Sequence, residues 1–199
     1  MSDKQPGRQP SFIGGHPVLD FVNTVAWRTE PARRVERVSD AAGWLRWAVT
    51  AEVFPAVPGS ELPTGDVELA GLVALRDALE AVLDAVTDGQ APPAPAWRAL
   101  RLALLRAREA AALPPVLPLR WEPGARDLTD LRHALALRAE ELLSGPAASR
   151  IRRCAGPGCG WFFLDRTRAG TRRWCSSGDC GNRDRARRHY ARTHPTAER

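Results

Sequence analysis

The sequence predicts a mainly α fold. A helical N-terminal body with one short extended segment is followed by a small C-terminal module, built as a β-hairpin and a helix in a treble-clef-like arrangement. Three observations carry this reading. Leucines and valines recur at helical spacing from Leu69 to Val86. Prolines and glycines divide the first 146 residues into about five segments of helical length. All four cysteines, Cys154, Cys159, Cys175 and Cys180, lie in the last 50 of the 199 residues.

In chain order, residues 1–10 are polar and read as a disordered leader. Gly14-Gly15 makes a turn before the apolar run Val18 to Trp27, whose spacing predicts a helix. Ser39 is placed to cap a short helix carrying Trp44, Leu45 and Trp47, which ends before Pro55. Residues 55–65 hold three prolines and two glycines and form a loop. Asp66 opens the longest helix, which Gly89 ends. Beyond the prolines of 91–95, Trp97 to Ala112 reads as a helix with Leu100, Leu104 and Ala107 on one face. Pro114, Pro115 and Pro118 stop it, and Val116 to Trp121 reads as the extended segment. Asp127 or Thr129 caps a last body helix through Leu131, Leu135 and Leu142, closed by Gly145-Pro146. The body then spans 11–146 and the module 150–194, with a hinge at 145–149.

Apolar residues make up 44% of the chain, enough to build a core. Charges or prolines interrupt every apolar stretch well before the length of a membrane span, and no secretory h-region opens the sequence. A soluble, cytoplasmic protein is expected. The net charge of +6 is unevenly spread. Residues 150–199 carry 13 Arg against 4 acidic residues, or +9; the first 149 carry 16 basic and 19 acidic residues, or −3. A basic end beside a mildly acidic body suggests that the end binds a polyanion.

The cysteines follow the pattern C-x4-C-x15-C-x4-C. Two pairs at this separation suit a tetrahedral zinc held by four thiolates, although an iron–sulfur cluster or two disulfides also satisfies the count. Trp161 to Leu164 reads as a strand, Asp165 to Thr171 as a turn and Arg172-Arg173-Trp174 as the returning arm. Such a hairpin brings both pairs to one ion. Fifty residues bury too little to fold alone, so a metal here supplies folding free energy on the order of 10 kcal/mol.

The segment after Cys180 is free of proline until Pro195 and predicts a helix. On a helical wheel Arg185, Arg188 and Arg192 cluster within about 60°, and Arg183 and Arg187 form a second ridge. Ala186 and Tyr190 between the ridges are expected to pack on the hairpin. Together with Arg172 and Arg173 these arginines are the candidate DNA contacts, since arginine fits both phosphates and guanine edges. Near the other end, His16, Asp20 and Asn23 with Trp44 and Trp47 are candidates for lining a small-ligand pocket; backbone capping and core packing would also account for them. His133 is read as a surface residue. No nucleophile elbow, phosphate loop, dinucleotide fingerprint or H-E-x-x-H is present, so no enzymatic activity is expected.

Cys180-Gly181-Asn182-Arg183, preceded by Phe163-Leu164-Asp165 and Arg172-Arg173-Trp174-Cys175, closely resembles the CGNR zinc finger, named for that tetrapeptide. Gly14-Gly15 followed by Leu19-Asp20-Phe21-Val22-Asn23-Thr24 resembles the opening of the ABATE domain that usually precedes it. Family members often carry Lys after the tetrapeptide, whereas every basic residue of this tail is Arg. The resemblance implies one structural zinc at Cys154, Cys159, Cys175 and Cys180, and a stress-induced transcription regulator that binds DNA through the finger. Its N-terminal domain would sense a small-molecule effector or form a homodimer. The alternative is a zinc-stabilised module that binds protein or RNA without reading DNA sequence.

Overall fold

A computed structural model describes residues 11–57 and 65–194. The expected leader at 1–10 and most of the loop at 55–65 lie outside these residues. The element order is α1 (Pro17–Val22), β1 (Val25–Ala26), β2 (Val35–Glu36), α2 (Ala41–Thr50), α3 (Asp66–Thr87), α4 (Ala94–Ala110), α5 (Leu128–Ser144), β3 (Ile151–Arg153), β4 (Phe162–Leu164) and α6 (Asn182–Thr193). Short 3-10 turns occupy Pro31–Arg33 and Pro146–Arg150. None of the described helices is long and apolar enough to cross a membrane.

The helices begin where small polar side chains satisfy orphan backbone donors. Asp40, not Ser39, caps α2 by accepting from Gly43 N at 2.7 Å. Asp127 caps α5 by accepting from Asp130 N at 2.8 Å. His16 caps α1 through Val18 N at 3.2 Å, with Pro17 in the first turn where its missing N–H costs nothing. α1 is only six residues long, because Asn23 leaves the helix and Val25-Ala26 pairs antiparallel with Val35-Glu36. β-branched Val25 therefore serves a strand, while Val18 and Val22 stay in the helix.

α3, α4 and α5 pack together, and α1 and α2 cover the other side of α5. Leu72, Leu75, Leu79 and Leu83 of α3 meet Leu131, Leu135 and Leu142 of α5 in one core. Arg76, buried within α3, takes the Glu36 carboxylate with both terminal nitrogens at 2.5 and 2.9 Å, tying the first hairpin to the bundle. Val116 to Trp121 forms no strand; a single antiparallel bridge, Ala112 with Glu122, closes the loop instead. His133 is buried on α5, and burial lowers its pKa, so the imidazole is held neutral.

The C-terminal hairpin differs in register from the expected one. β4 pairs with β3, which precedes the first cysteine, through Ile151–Leu164, Arg152–Phe163 and Arg153–Phe162. The arm 172–174 is irregular and forms no ladder with the hairpin; its backbone bond there is Ala155 N to Arg173 O at 3.0 Å. The expected hinge at 145–149 is a 3-10 turn between two segments buried in the same core, since Ile151, Phe162 and Leu164 pack with α1, α3 and α5.

Candidate metal centre and basic helix

Cys154 directly follows β3, and Gly156-Pro157-Gly158 turns the chain back so that Cys159 precedes β4. Cys175 ends the irregular arm, and Cys180 sits in the π-helical turn Ser177–Gly181 that runs into α6. All four sulfurs are buried and lie within 4.8 Å of one another, with Cys175–Cys180 at 3.5 Å and Cys159–Cys175 at 3.7 Å. A tetrahedron of Zn–S bonds near 2.3 Å sets its sulfurs about 3.8 Å apart, so the donor set fits one zinc. The same spacing is far beyond the roughly 2.05 Å of a disulfide, which removes that reading. Four thiolates close the coordination shell, and one structural zinc per chain follows.

Positive and donor groups surround the sulfurs. Gly156 N and Cys175 N point at Cys154 Sγ from 3.4 and 3.3 Å, and Arg183 donates to Cys180 Sγ at 3.0 Å. Hydrogen bonding to Cys159 and to Cys154 holds the Cys154 and Cys175 thiols, respectively, far above the ordinary thiol range. So many thiols ionise together only around a cation, and their N–H partners then offset the excess negative charge.

Two arginines expected to contact DNA belong to this framework. Arg172 donates to Trp174 O and Cys175 O at 2.9 and 2.5 Å and lies over Phe163 at 4.3 Å. Asp165 holds the same loop by accepting from Thr167 Oγ1 at 2.6 Å, Thr167 N and Arg172 N, which keeps its carboxyl below the usual range. Arg183 stacks 4.9 Å above Trp27, over which Arg33 also lies at 3.4 Å. Trp27 adopts φ +55°, a costly conformation for a bulky residue, and its ring comes so close to Gly158 that a Cβ there would stand 2.7 Å away. Arg172 and Arg183 thus brace the metal site while remaining half-buried.

The N-terminal motif also has a different task from the one expected. Asn23 donates to Phe162 O at 2.8 Å and accepts from Phe162 N at 2.9 Å, so its amide pairs with β4 like a neighbouring strand. Asp20 accepts from Gly14 N at 2.8 Å, and Gly14 O in turn accepts from Leu164 N at 2.8 Å. Trp44 and Trp47 pack edge-on against each other and against Phe21; their indole N–H groups have no hydrogen-bond partner, so the pair contributes packing. Asn23 and, through Gly14, Asp20 tie α1 to β4, whereas His16 caps α1 and Trp44 and Trp47 pack in the core of the body. Polar atoms expected to line a ligand pocket there serve the backbone instead: His16 Nδ1, Asp20 Oδ1 and both polar atoms of the Asn23 amide.

Further docking residues escape sequence reading. Arg28 is buried over Phe162, bonds Gly160 O and pairs with Glu80 and Asp84 of α3 at 3.1 Å each. Arg153 reaches Asp84 and Asp88 at 2.9 and 2.6 Å. Trp161 donates to Val25 O at 2.6 Å. For Arg28 the sequence offers only the Trp27-Arg28 pair shortly after the N-terminal motif, a pattern with no chemistry of its own.

α6 leaves this centre and stands clear of the body. From Arg185 to His194 every residue is exposed. Ala186 and Tyr190, expected to pack on the hairpin, do not; Tyr190 stacks on His194 at 4.2 Å. Asp184, buried at the base, takes Arg187 and Arg188 at 2.9 Å each, and Arg185 donates to Ser177 O at 3.1 Å. Of the seven arginines expected at a DNA surface, five face solvent: Arg173, Arg185, Arg187, Arg188 and Arg192.

Comparison with known families agrees with this layout. A family described as the CGNR zinc finger matches residues 150–193. ABATE, described as "Putative stress-induced transcription regulator", matches residues 15–146, well over half of the chain. No curated protein matches the sequence.

Proposed function

Because the chain belongs to the ABATE family and ends in a CGNR zinc finger, we propose that it regulates transcription by binding duplex DNA through α6 and the adjoining Arg173. The observation that carries this is the isolation of α6. A helix of 12 residues is about 18 Å long and narrow enough for a major groove about 12 Å wide. Four arginines project from its exposed length, and the zinc centre anchors only its first turn. The ion pairs of Arg187 and Arg188 with Asp184 are half open to water, where such pairs are weak, so phosphate can compete for them. Arg172 and Arg183 support this surface by shaping the finger through their bonds to Cys175 O and Cys180 Sγ.

Titration of a labelled duplex across a salt series tests the reading. If about four of the five exposed arginines meet phosphates, log Kobs falls against log salt with a slope of roughly −3.6. Replacing Arg185→Ala together with Arg188→Ala should weaken binding and reduce the slope's magnitude by one to two units, roughly one per lost phosphate contact. A double variant that binds as tightly as the parent at about 0.15 M salt, where charge contacts still matter, overturns the assignment of α6. The finger is then a zinc-stabilised module for protein or RNA.

A further inference from the structure

The zinc ligands all lie in the finger, but the surroundings of the metal do not. Four thiolates around one divalent ion leave two negative charges in excess, and Trp27, Trp161 and Phe163 enclose the sulfurs, where unbalanced charge is costly. Arg183 brings a guanidinium to this charge, with one terminal nitrogen 3.0 Å from Cys180 Sγ. Two further groups fix it there. Asp179 Oδ1 faces its Nε at 3.6 Å, and the Trp27 ring lies 4.9 Å from its centre, within reach of a cation–π attraction.

Trp27 comes from the N-terminal body, outside the residues that match the finger. It is buried and packs in one cluster with the four cysteines. Its ring also covers the first cysteine pair: Gly158, at φ +71°, lies between Cys154 and Cys159, and a Cβ there would stand 2.7 Å from the indole. Arg33, over the same ring at 3.4 Å and paired with Glu30 at 3.3 Å, holds the indole from the body. Trp27 keeps this place at φ +55°, a backbone conformation that a bulky residue adopts only where its surroundings over-determine it, and such strain gathers at functional sites. One body residue therefore touches both the turn between two ligands and the cation on a third.

We propose that Trp27 and Arg183 are positioning residues of the zinc centre: Trp27 holds the Arg183 guanidinium against Cys180, so that the N-terminal body sets how tightly the finger retains its metal. A chain without the indole keeps all four ligands but loses the fixed donor that offsets their charge. The proposal concerns the metal alone and stands whether or not α6 binds DNA.

Competition between the full chain and a chromophoric chelator for zinc tests it, with the cobalt(II)-loaded chain as a spectroscopic probe. Trp27→Leu and Arg183→Met should each raise the zinc dissociation constant about 10–100-fold, as loss of a partner of a metal ligand does. Both act through one guanidinium, so the double variant should be no more than about threefold weaker than the weaker single variant. Trp27→Phe keeps an aromatic face and Arg183→Lys keeps a charged donor; each should recover most of the affinity. A hydrogen bond lowers the energy of a thiolate lone pair, so the sulfur-to-cobalt charge-transfer band should move to longer wavelength in Arg183→Met and Trp27→Leu alike. Leu135→Ala, a cavity in the bundle core, destabilises the body and should leave the band in place. Parent zinc affinity in Trp27→Leu, losses that multiply in full in the double variant, or conservative variants that lose as much overturn the proposal. So does a band that moves in Leu135→Ala but not in Trp27→Leu. Arg183→Met, at a half-buried position, keeps the test open if Trp27→Leu does not fold: parent affinity and an unmoved band there overturn the proposal by themselves.

Discussion

Individual side chains in this protein do work that their type alone does not announce. Arg183 closes the motif that names the finger, yet its guanidinium is spent on Cys180 and Trp27. Asp20 is the clearest titrating case. Burial pushes its pKa up from 3.8 to about 6, against the pull of the Gly14 N–H. A carboxyl with a raised folded-state pKa stabilises the fold most below its ordinary value, and that contribution is lost as pH rises from about 4 through about 6. Two units correspond to about 2–3 kcal/mol. Asp20→Asn keeps an acceptor for Gly14 N and removes the charge, so it should stabilise the protein at pH 7.5 by about 1–3 kcal/mol and flatten that part of the pH profile. Denaturant titrations of both proteins at pH 5 and 7.5 with excess zinc measure the difference; parallel profiles would refute the assigned burial cost. His16 and His133, lowered chiefly by burial, act with the opposite sign and lose stability as pH falls through 6.5.

At the scale of elements, α6 contrasts with the other helices. α3 and α5 are held by the apolar face each one buries, whereas α6 is held only at its base. A helix of about a dozen residues is marginal in water without packing. The Asp184 pairs at i+3 and i+4 and the favourable position of an acid at the N-terminus add a few tenths of a kcal/mol each. Amide hydrogens beyond Arg187 should therefore exchange rapidly in the free protein and become protected when duplex DNA binds. Strong protection in the free protein would mean that another surface covers this helix. The existence of the helix was legible from a proline-free basic run; its detachment was not, because amphipathic spacing of Ala186 and Tyr190 does not decide whether a partner surface lies within reach.

At the scale of the molecule, body and finger share their packing despite matching two separate families. Ile151, Phe162 and Leu164 complete the bundle's core, while Ala26 and Trp27 pack with the four cysteines. Asn23, Arg28 and Arg153 add buried or half-buried polar ties across the same seam. Removing the metal should then unfold more than the finger. Cys180→Ser, or chelation of the parent, is expected to lower the melting of the helical body by at least about 10 °C, since each kcal/mol moves the midpoint of a chain this size about 2–4 °C. Calorimetry following far-UV ellipticity should find one transition. Two transitions, with the body melting as before, would make the finger an autonomous domain hinged at 145–149.

The amino-acid sequence by itself determined the helices, the metal ligands and the placement of positive charge. Each rests on chemistry that is local in sequence: a 3.6-residue period, cysteine pairs at fixed spacing and a run of arginines. Tertiary structure alone decided which strand pairs with β4, that Asn23 serves the finger, and that Arg172 and Arg183 bond to the metal centre while the helix from Arg185 to Arg192 stays exposed. Asn23 reaches Phe162 across 139 positions, where a short polar motif competes with every other buried backbone group for a partner; the β3–β4 pairing and the Arg172 bonds are nearer in sequence but are settled by the same competition for unpaired backbone groups. An amide such as Asn23 looks the same in sequence whether it binds a ligand or a strand, and only the arrival of Phe162 at 2.8 Å separates the two.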